Sequence, residues 1–280
     1  MTHEPEAGGF PGRAPGLHVL GRGLQGLLRI VPGNCPVCGV REMGGMLCGV
    51  CEGAAVRSMR GSVSMAVGAR HDGGSEPDLV YRCARCALRL RAQQLCPDCT
   101  LLPLAVSRVL AAFDYDATGK ALVSRFKQGR QFLLSRALAR LMTAEVRRHD
   151  DRLESVAGHV LVPVPSRRIS VRERGFSPAA ELARYLARDL GLPCRLGWLA
   201  RRNDGPRQTG LTRRGRLALA DIDAYDCKAL PGGARIILVD DVMTTGSTLH
   251  QAATALRQAG AVDVMAVVLA RTPLGGFPPI

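Results

Sequence analysis

The 280-residue chain is poor in lysine, with 3 against 35 arginines, and poor in aromatics, which make up 4% of it. So few aromatics argue against a platform on which single-stranded bases stack. No run of about 18 apolar residues is free of charge, which excludes a membrane-spanning helix. Glu4 and Glu6, with proline and glycine close by, stand where a secretory leader has its apolar stretch. The expectation is therefore a cytoplasmic protein with no membrane insertion. No Ser-His-Asp or Cys-His set is recognisable: His159 precedes a buried strand and His250 falls in a first helical turn, and both read as structural.

What is present comes next. An apolar share of 46% suffices for a sizeable core, and the length suits one or two domains. The net charge of +14 is uneven, with +3 carried by residues 1–100 and +11 by residues 101–280. An anionic partner is expected on the C-terminal part.

Residues 1–32 read as a Pro/Gly-rich mobile tail and a short amphipathic helix, built on Leu17, Leu20, Leu24, Leu27, Leu28 and Val31. A cysteine-dense module follows over 33–104. Across 105–272, β-type runs at Val106–Tyr115, His159–Pro163, Arg235–Asp240 and Val262–Arg271 alternate with helical runs near Ala117–Arg148, Ser177–Leu190 and Thr248–Ala259. That alternation predicts an α/β fold, a mostly parallel sheet flanked by helices. Arg201–Arg216 reads as a polar loop or hood, and 273–280 as a tail.

Eight of the ten cysteines form four C-x-x-C pairs: Cys35/Cys38, Cys48/Cys51, Cys83/Cys86 and Cys96/Cys99. Nine residues separate the first two pairs, and nine the last two. Two such turns supply the four thiolates of a tetrahedral zinc site. Disulfides are disfavoured without a secretory leader. A redox dithiol uses one such pair, and iron–sulfur clusters favour other spacings. Structural zinc, one or two ions, is the reading, with the pairs combining in sequence; a cross-braced arrangement stays open. His71 reads as an exposed loop residue, and Cys194 and Cys227 as small apolar fillers.

The stretch Arg235–Leu249 is the most informative. Ile236, Ile237, Leu238 and Val239 predict a buried strand, with Asp240 and Asp241 at its carboxyl end. Met243, Thr244, Thr245, Gly246, Ser247 and Thr248 then lead into a helix. Ligands of open α/β sheets bind beyond the carboxyl ends of the strands. Small hydroxyl residues and glycine let backbone N–H groups form an anion nest, and a helix N-terminus favours phosphate. The adjacent carboxylates repel phosphate; they suit sugar hydroxyls, or magnesium through water. A phosphorylated ribose satisfies both halves. The Gly-Lys pair of a Walker loop is missing.

This segment resembles the phosphoribosyl pyrophosphate (PRPP) signature of type I phosphoribosyltransferases. The whole chain resembles the ComF family, in which a double zinc ribbon precedes such a domain. The order of motifs carries the likeness: the cysteine pairs, YDATGKALVSRFKQGR with Tyr115 and Lys127, LVPVPSRR, RERGF, Gln208 with Leu211 and Arg216, then the signature. The resemblance implies that Asp240 and Asp241 bind ribose hydroxyls as the catalytic acids and that Met243 to Thr248 hold the 5′-phosphate. It places the diphosphate on Ser166, Arg167 and Arg168, with Arg172 and Arg174 on a mobile segment that closes over the site. Magnesium would accompany PRPP. Two departures fall on the acceptor side: Ser177-Pro178 where many members carry Asn-Gln, and Leu219 where they carry Asn. Three functions follow as expectations. One is a PRPP-dependent transferase. Another is a non-catalytic module of DNA uptake that docks single-stranded DNA or DNA-uptake proteins. The third is a PRPP-sensing regulator.

Overall fold

The computed structural model describes residues 32–43, 46–59, 62–65, 80–90, 95–128, 132–202 and 224–274. The N-terminal helix, His71, Gln208, Leu211, Arg216 and Leu219 lie outside the described residues. In chain order the elements are β1 (Pro32–Asn34), β2 (Arg41–Met43), α1 (Gly49–Val56), β3 (Ser62–Met65), β4 (Val80–Cys83), β5 (Arg89–Leu90), α2 (Pro97–Leu101), β6 (Val109–Asp114), α3 (Ala117–Gln128) and α4 (Phe132–His149). They continue with β7 (His159–Pro163), α5 (Arg168–Arg174), α6 (Pro178–Leu190), β8 (Leu199–Arg201), β9 (Tyr225–Cys227), β10 (Arg235–Met243), α7 (Ser247–Gln258) and β11 (Asp263–Arg271).

Four strands form a parallel sheet in the order β6-β11-β10-β7. They read as continuous apolar runs because both faces are covered. Ile237 and Val239 point to one face and Ile236 and Leu238 to the other, and none of the four is exposed. The first face is lined by Leu134, Leu138 and Met142 of α4 and by Leu182 and Leu186 of α6. These recur at helical spacing, so one stripe of each helix is buried. The second face is lined by Leu249, Ala252, Ala253 and Leu256 of α7.

The cysteine-dense region divides between these two faces. Cys35, Leu47, Cys48 and Ala55 join the core of the first, and Tyr81, Cys83, Cys86, Leu88 and Cys96 that of the second. Two ion pairs with almost no exposure fasten the second group. Arg82, beside Cys83, holds Asp114 at the end of β6 with two N–H···O contacts of 2.9 and 2.8 Å. Arg271, at the end of β11, reaches Asp98 in α2 at 2.5 Å.

Three elements differ from their sequence-based outline. β10 runs through Asp240 and Asp241 to Met243, because β11 goes on supplying hydrogen bonds as far as Arg271. The helical stretch after Ala117 is two helices, Ala117–Gln128 and Phe132–His149. The segment with Arg172 and Arg174, for which no helix was expected, is helix α5. Gly175 closes it at φ 82°, its N–H donating to the Val171 carbonyl at 2.7 Å.

Candidate functional site

β10 and β7 part company at the rim of the sheet. Their pairing ends at Val239 opposite Pro163, while β10 continues to Met243. Asp240 and Asp241 therefore sit on a ledge with no strand on the β7 side. The chain after β7 leaves the sheet there: the Val164 N–H donates to the Val239 carbonyl at 2.9 Å, and Pro165 to Arg168 follow in sequence. The expected diphosphate segment and the paired acids thus come together at the carboxyl ends of neighbouring strands, where α/β sheets bind ligands.

The two acids are not equivalent. Each accepts a hydrogen bond from the next backbone N–H, Asp240 from Asp241 at 2.8 Å and Asp241 from Val242 at 2.7 Å. The Asp241 carboxylate also meets the Lys127 ammonium at 2.8 Å. Lys127 is about one-third exposed, so this pair lies at the mouth of the site and is not sealed in the core. Within the described residues no ion pair reaches Asp240. Burial among protein atoms, then the neighbouring Asp241 charge, push its carboxyl up to about 8, although part of its surface stays open. The β8–β9 hairpin supplies a nearby wall. Tyr225 is buried there, with its phenol pushed up to about 12 by that burial, and its hydroxyl accepts from Arg201 at 3.2 Å.

Beyond Met243 the chain turns through Thr244 to Gly246 into α7. Gly246 has φ 87°, and a Cβ there would meet Leu104 and Met243 at 2.7 Å. The Thr245 and Ser247 hydroxyls lie 2.8 Å apart, and both residues are buried. Small hydroxyl side chains paired with each other leave a tight turn at a helix N-terminus, the setting that favours an anion. Arg271, whose exposure is nil, donates to the carbonyls of Met243 (3.4 Å), Thr244 and Thr272 (3.0 Å) beneath this turn.

Ser166 is half-buried, with its hydroxyl 3.0 Å from that of Ser177. The Ser177-Pro178 departure therefore has a structural use. Pro178 takes the first position of α6, where its missing N–H costs nothing, and Ser177 ties the turn after β7 to that helix. Arg168 and Arg172 are exposed; the Arg174 Nε donates to the Ser170 carbonyl at 3.0 Å. His159 contacts Asp263 at 3.3 Å, and His250 accepts from the Ala105 N–H at 3.2 Å, so both serve packing as expected. Burial raises the thiols of Cys194 and Cys227.

Away from the rim, the cysteines gather as two fours: Cys35, Cys38, Cys48 and Cys51, and Cys83, Cys86, Cys96 and Cys99. This is the sequential pairing. Sulfur separations are 3.6 Å for Cys38/Cys48, 3.7 Å for Cys83/Cys99 and 3.4 Å for Cys86/Cys96. A tetrahedron with ion–sulfur bonds of about 2.3 Å has edges of about 3.8 Å, so both sets fit one zinc each. At Cys35 burial opposes ionisation, but the N–H groups of Cys38 and Cys48 outweigh it and the thiol falls to about 6.

Sequence reasoning located the acids, the loop and the cysteines. It quoted Lys127 only within a motif, and it missed Arg271, Arg201 and Tyr225. Lys127 is one of only three lysines, which was the one signal available.

A family model for the phosphoribosyl transferase domain matches residues 169–279. The chain is 31% identical to competence protein F of Haemophilus influenzae, over 68% of this chain and 84% of that one. It is 30% identical to DNA utilization protein YhgH of Salmonella typhimurium, over 86% of this chain and 98% of that one. To competence protein ComFC of Streptococcus pneumoniae it is 25% identical, over 68% and 80%. These relatives and the matched domain show that the chain belongs to the ComF family, and its own structure joins two cysteine fours to a phosphoribosyltransferase-like domain.

Proposed function

We propose that the protein binds PRPP at the rim shared by β7 and β10. One observation carries this reading: two adjacent carboxylates stand on a ledge that β7 no longer pairs, between a small-residue turn at a helix N-terminus and an arginine-bearing turn. The 5′-phosphate would lie on the amides of Thr244 to Thr248. The ribose hydroxyls would donate to Asp240 and Asp241, which a phosphate would avoid. The diphosphate would lie along Ser166, Arg167 and Arg168, with Arg172 and Arg174 on α5 above it; guanidinium forks suit paired phosphate oxygens.

Asp240 and Asp241 are the residues that would hold magnesium, through water, and the ion would supply charge neutralisation for the leaving group. Transfer would displace pyrophosphate from the anomeric carbon. The Asp241 carboxylate, paired with Lys127, would stabilise positive charge developing on the sugar, and the arginines the charge on the leaving group. Lys127 would keep Asp241 aimed through their 2.8 Å contact. The nucleophile belongs to the acceptor substrate. The relatives' names connect the family to competence and DNA use, and the +11 excess of residues 101–280 suits a polyanion. A role in handling incoming DNA or its nucleotides, in the cytoplasm, is the setting we propose.

Calorimetry with PRPP and magnesium tests the binding. The wild type should bind, and Asp240→Asn with Asp241→Asn should not. Equal binding by both proteins would remove the sugar role. Pyrophosphate release on adding candidate acceptors then separates transfer from sensing.

A further inference from the structure

The second cysteine four and the phosphate turn share one side chain. Arg271 ends β11 with no exposure at all. On one side its Nε donates to the Cys86 carbonyl at 2.9 Å, and its Nη2 to Asp98 at 2.5 Å, with the Cys86 sulfur 4.0 Å away. On the other side its Nη1 donates to the carbonyls of Met243 and Thr244. Asp98 is itself buried and stands between Cys96 and Cys99.

Peptide geometry gives this contact a direction. In a trans peptide the carbonyl of one residue and the N–H of the next point opposite ways. With the Met243 and Thr244 carbonyls turned down onto Arg271, the N–H groups of Thr244 and Thr245 face the other side, where the phosphate would lie. Lysine carries the same charge but lacks the planar fork, so it cannot grip both sides at once.

We propose that Arg271 is a positioning residue for phosphate binding, and that its grip on the Cys83/Cys86/Cys96/Cys99 knuckles makes the ion held there set the shape of the phosphate turn. This rests on the PRPP reading for the identity of the ligand, but not for the coupling itself. The knuckles are then more than a remote staple: an intact second site aims the amides, and a broken one lets the turn relax. Among the described residues no hydrogen bond joins the first cysteine four to the turn, and Arg125 reaches its Pro36 and Val37 carbonyls instead.

The test uses the full-length protein loaded with zinc. Wild type, Arg271→Lys, Asp98→Asn and, as control, Cys38→Ser are compared for zinc content, amide hydrogen exchange over residues 244–249, and PRPP affinity. Arg271→Lys should keep both zinc ions, exchange faster over 244–249 and bind PRPP about tenfold or more weakly, as expected for lost charge-assisted hydrogen bonds. Asp98→Asn should move both readouts the same way, and Cys38→Ser should leave the exchange over 244–249 unchanged. In cobalt-substituted wild type, PRPP should shift the thiolate–cobalt bands, and in Arg271→Lys it should not. Unchanged exchange and affinity in Arg271→Lys would overturn the proposal. Should that variant not fold, Asp98→Asn alone decides in the same way. Wild type that fails to bind PRPP sinks the ligand assignment, while the exchange comparison still judges the coupling.

Discussion

Asp240 stands where its own charge costs stability. Its carboxyl rises from 3.8 to about 8 in the folded chain, through burial and the Asp241 charge. Between those two values the folded state keeps a proton that the unfolded chain has released, so stability falls as pH rises through the window. Asp240→Asn should therefore stabilise the protein by about 2 kcal/mol near pH 8, discounted for the open edge of the carboxylate. That gain should disappear below about pH 4, where aspartate is protonated in both states. Thermal melts of the two proteins across pH 4–9 read this directly, and a gain that does not depend on pH would refute it. At this scale the sequence announced what is local. Asp240 and Asp241 are adjacent to each other and to the turn, so their pattern is readable along one stretch. Lys127 lies 114 positions from Asp241, and Arg271 lies 173 from Asp98, so no spacing could reveal either contact.

Among elements, the difference in length between β10 and β7 creates the site. The four strands were readable because runs covered on both faces are apolar throughout. The extension of β10 to Met243 was not, because two aspartates look like the end of a strand; β11 keeps them in register. Helix α5 escaped for a related reason: with none of its residues buried, it has no apolar stripe to announce it. The β8–β9 hairpin is three residues a side, with its halves 24 positions apart, too little for a pattern. The turn into α7 makes a sharper prediction. Gly246→Ala puts a side chain at positive φ and into Leu104 and Met243. It should cost about 1–3 kcal/mol and weaken phosphate binding, since the amides can no longer hold their curl. Denaturant melts alongside PRPP titration check both, and a variant that keeps wild-type affinity would show that the turn does not need this backbone.

For the whole molecule, the cysteine fours are the informative parts. Nine-residue spacings revealed which cysteines combine, because that is a local matter. They could not reveal that the two fours cover opposite faces of one sheet, which the chain settles only by packing distant apolar residues. Metal analysis should find two zinc ions per chain. A strong chelator should lower the melting temperature by several degrees or more, because structural zinc binding is coupled to folding. A metal-free protein of unchanged stability would contradict that account.

The division of the core has a practical consequence. A fragment beginning at residue 105 would seem a natural minimal enzyme, since every strand of the sheet and every acid of the rim lies within it. Yet Leu47, Ala55, Tyr81 and Leu88 help to line the sheet from its two sides, and Arg82 and Asp98 neutralise Asp114 and Arg271. Cutting there would bare greasy surface front and back at once and strand two opposite charges in the interior. The shortened polypeptide should be recovered as aggregate, and supplying the missing hundred residues as a separate piece should rescue it only if both pieces are folded together.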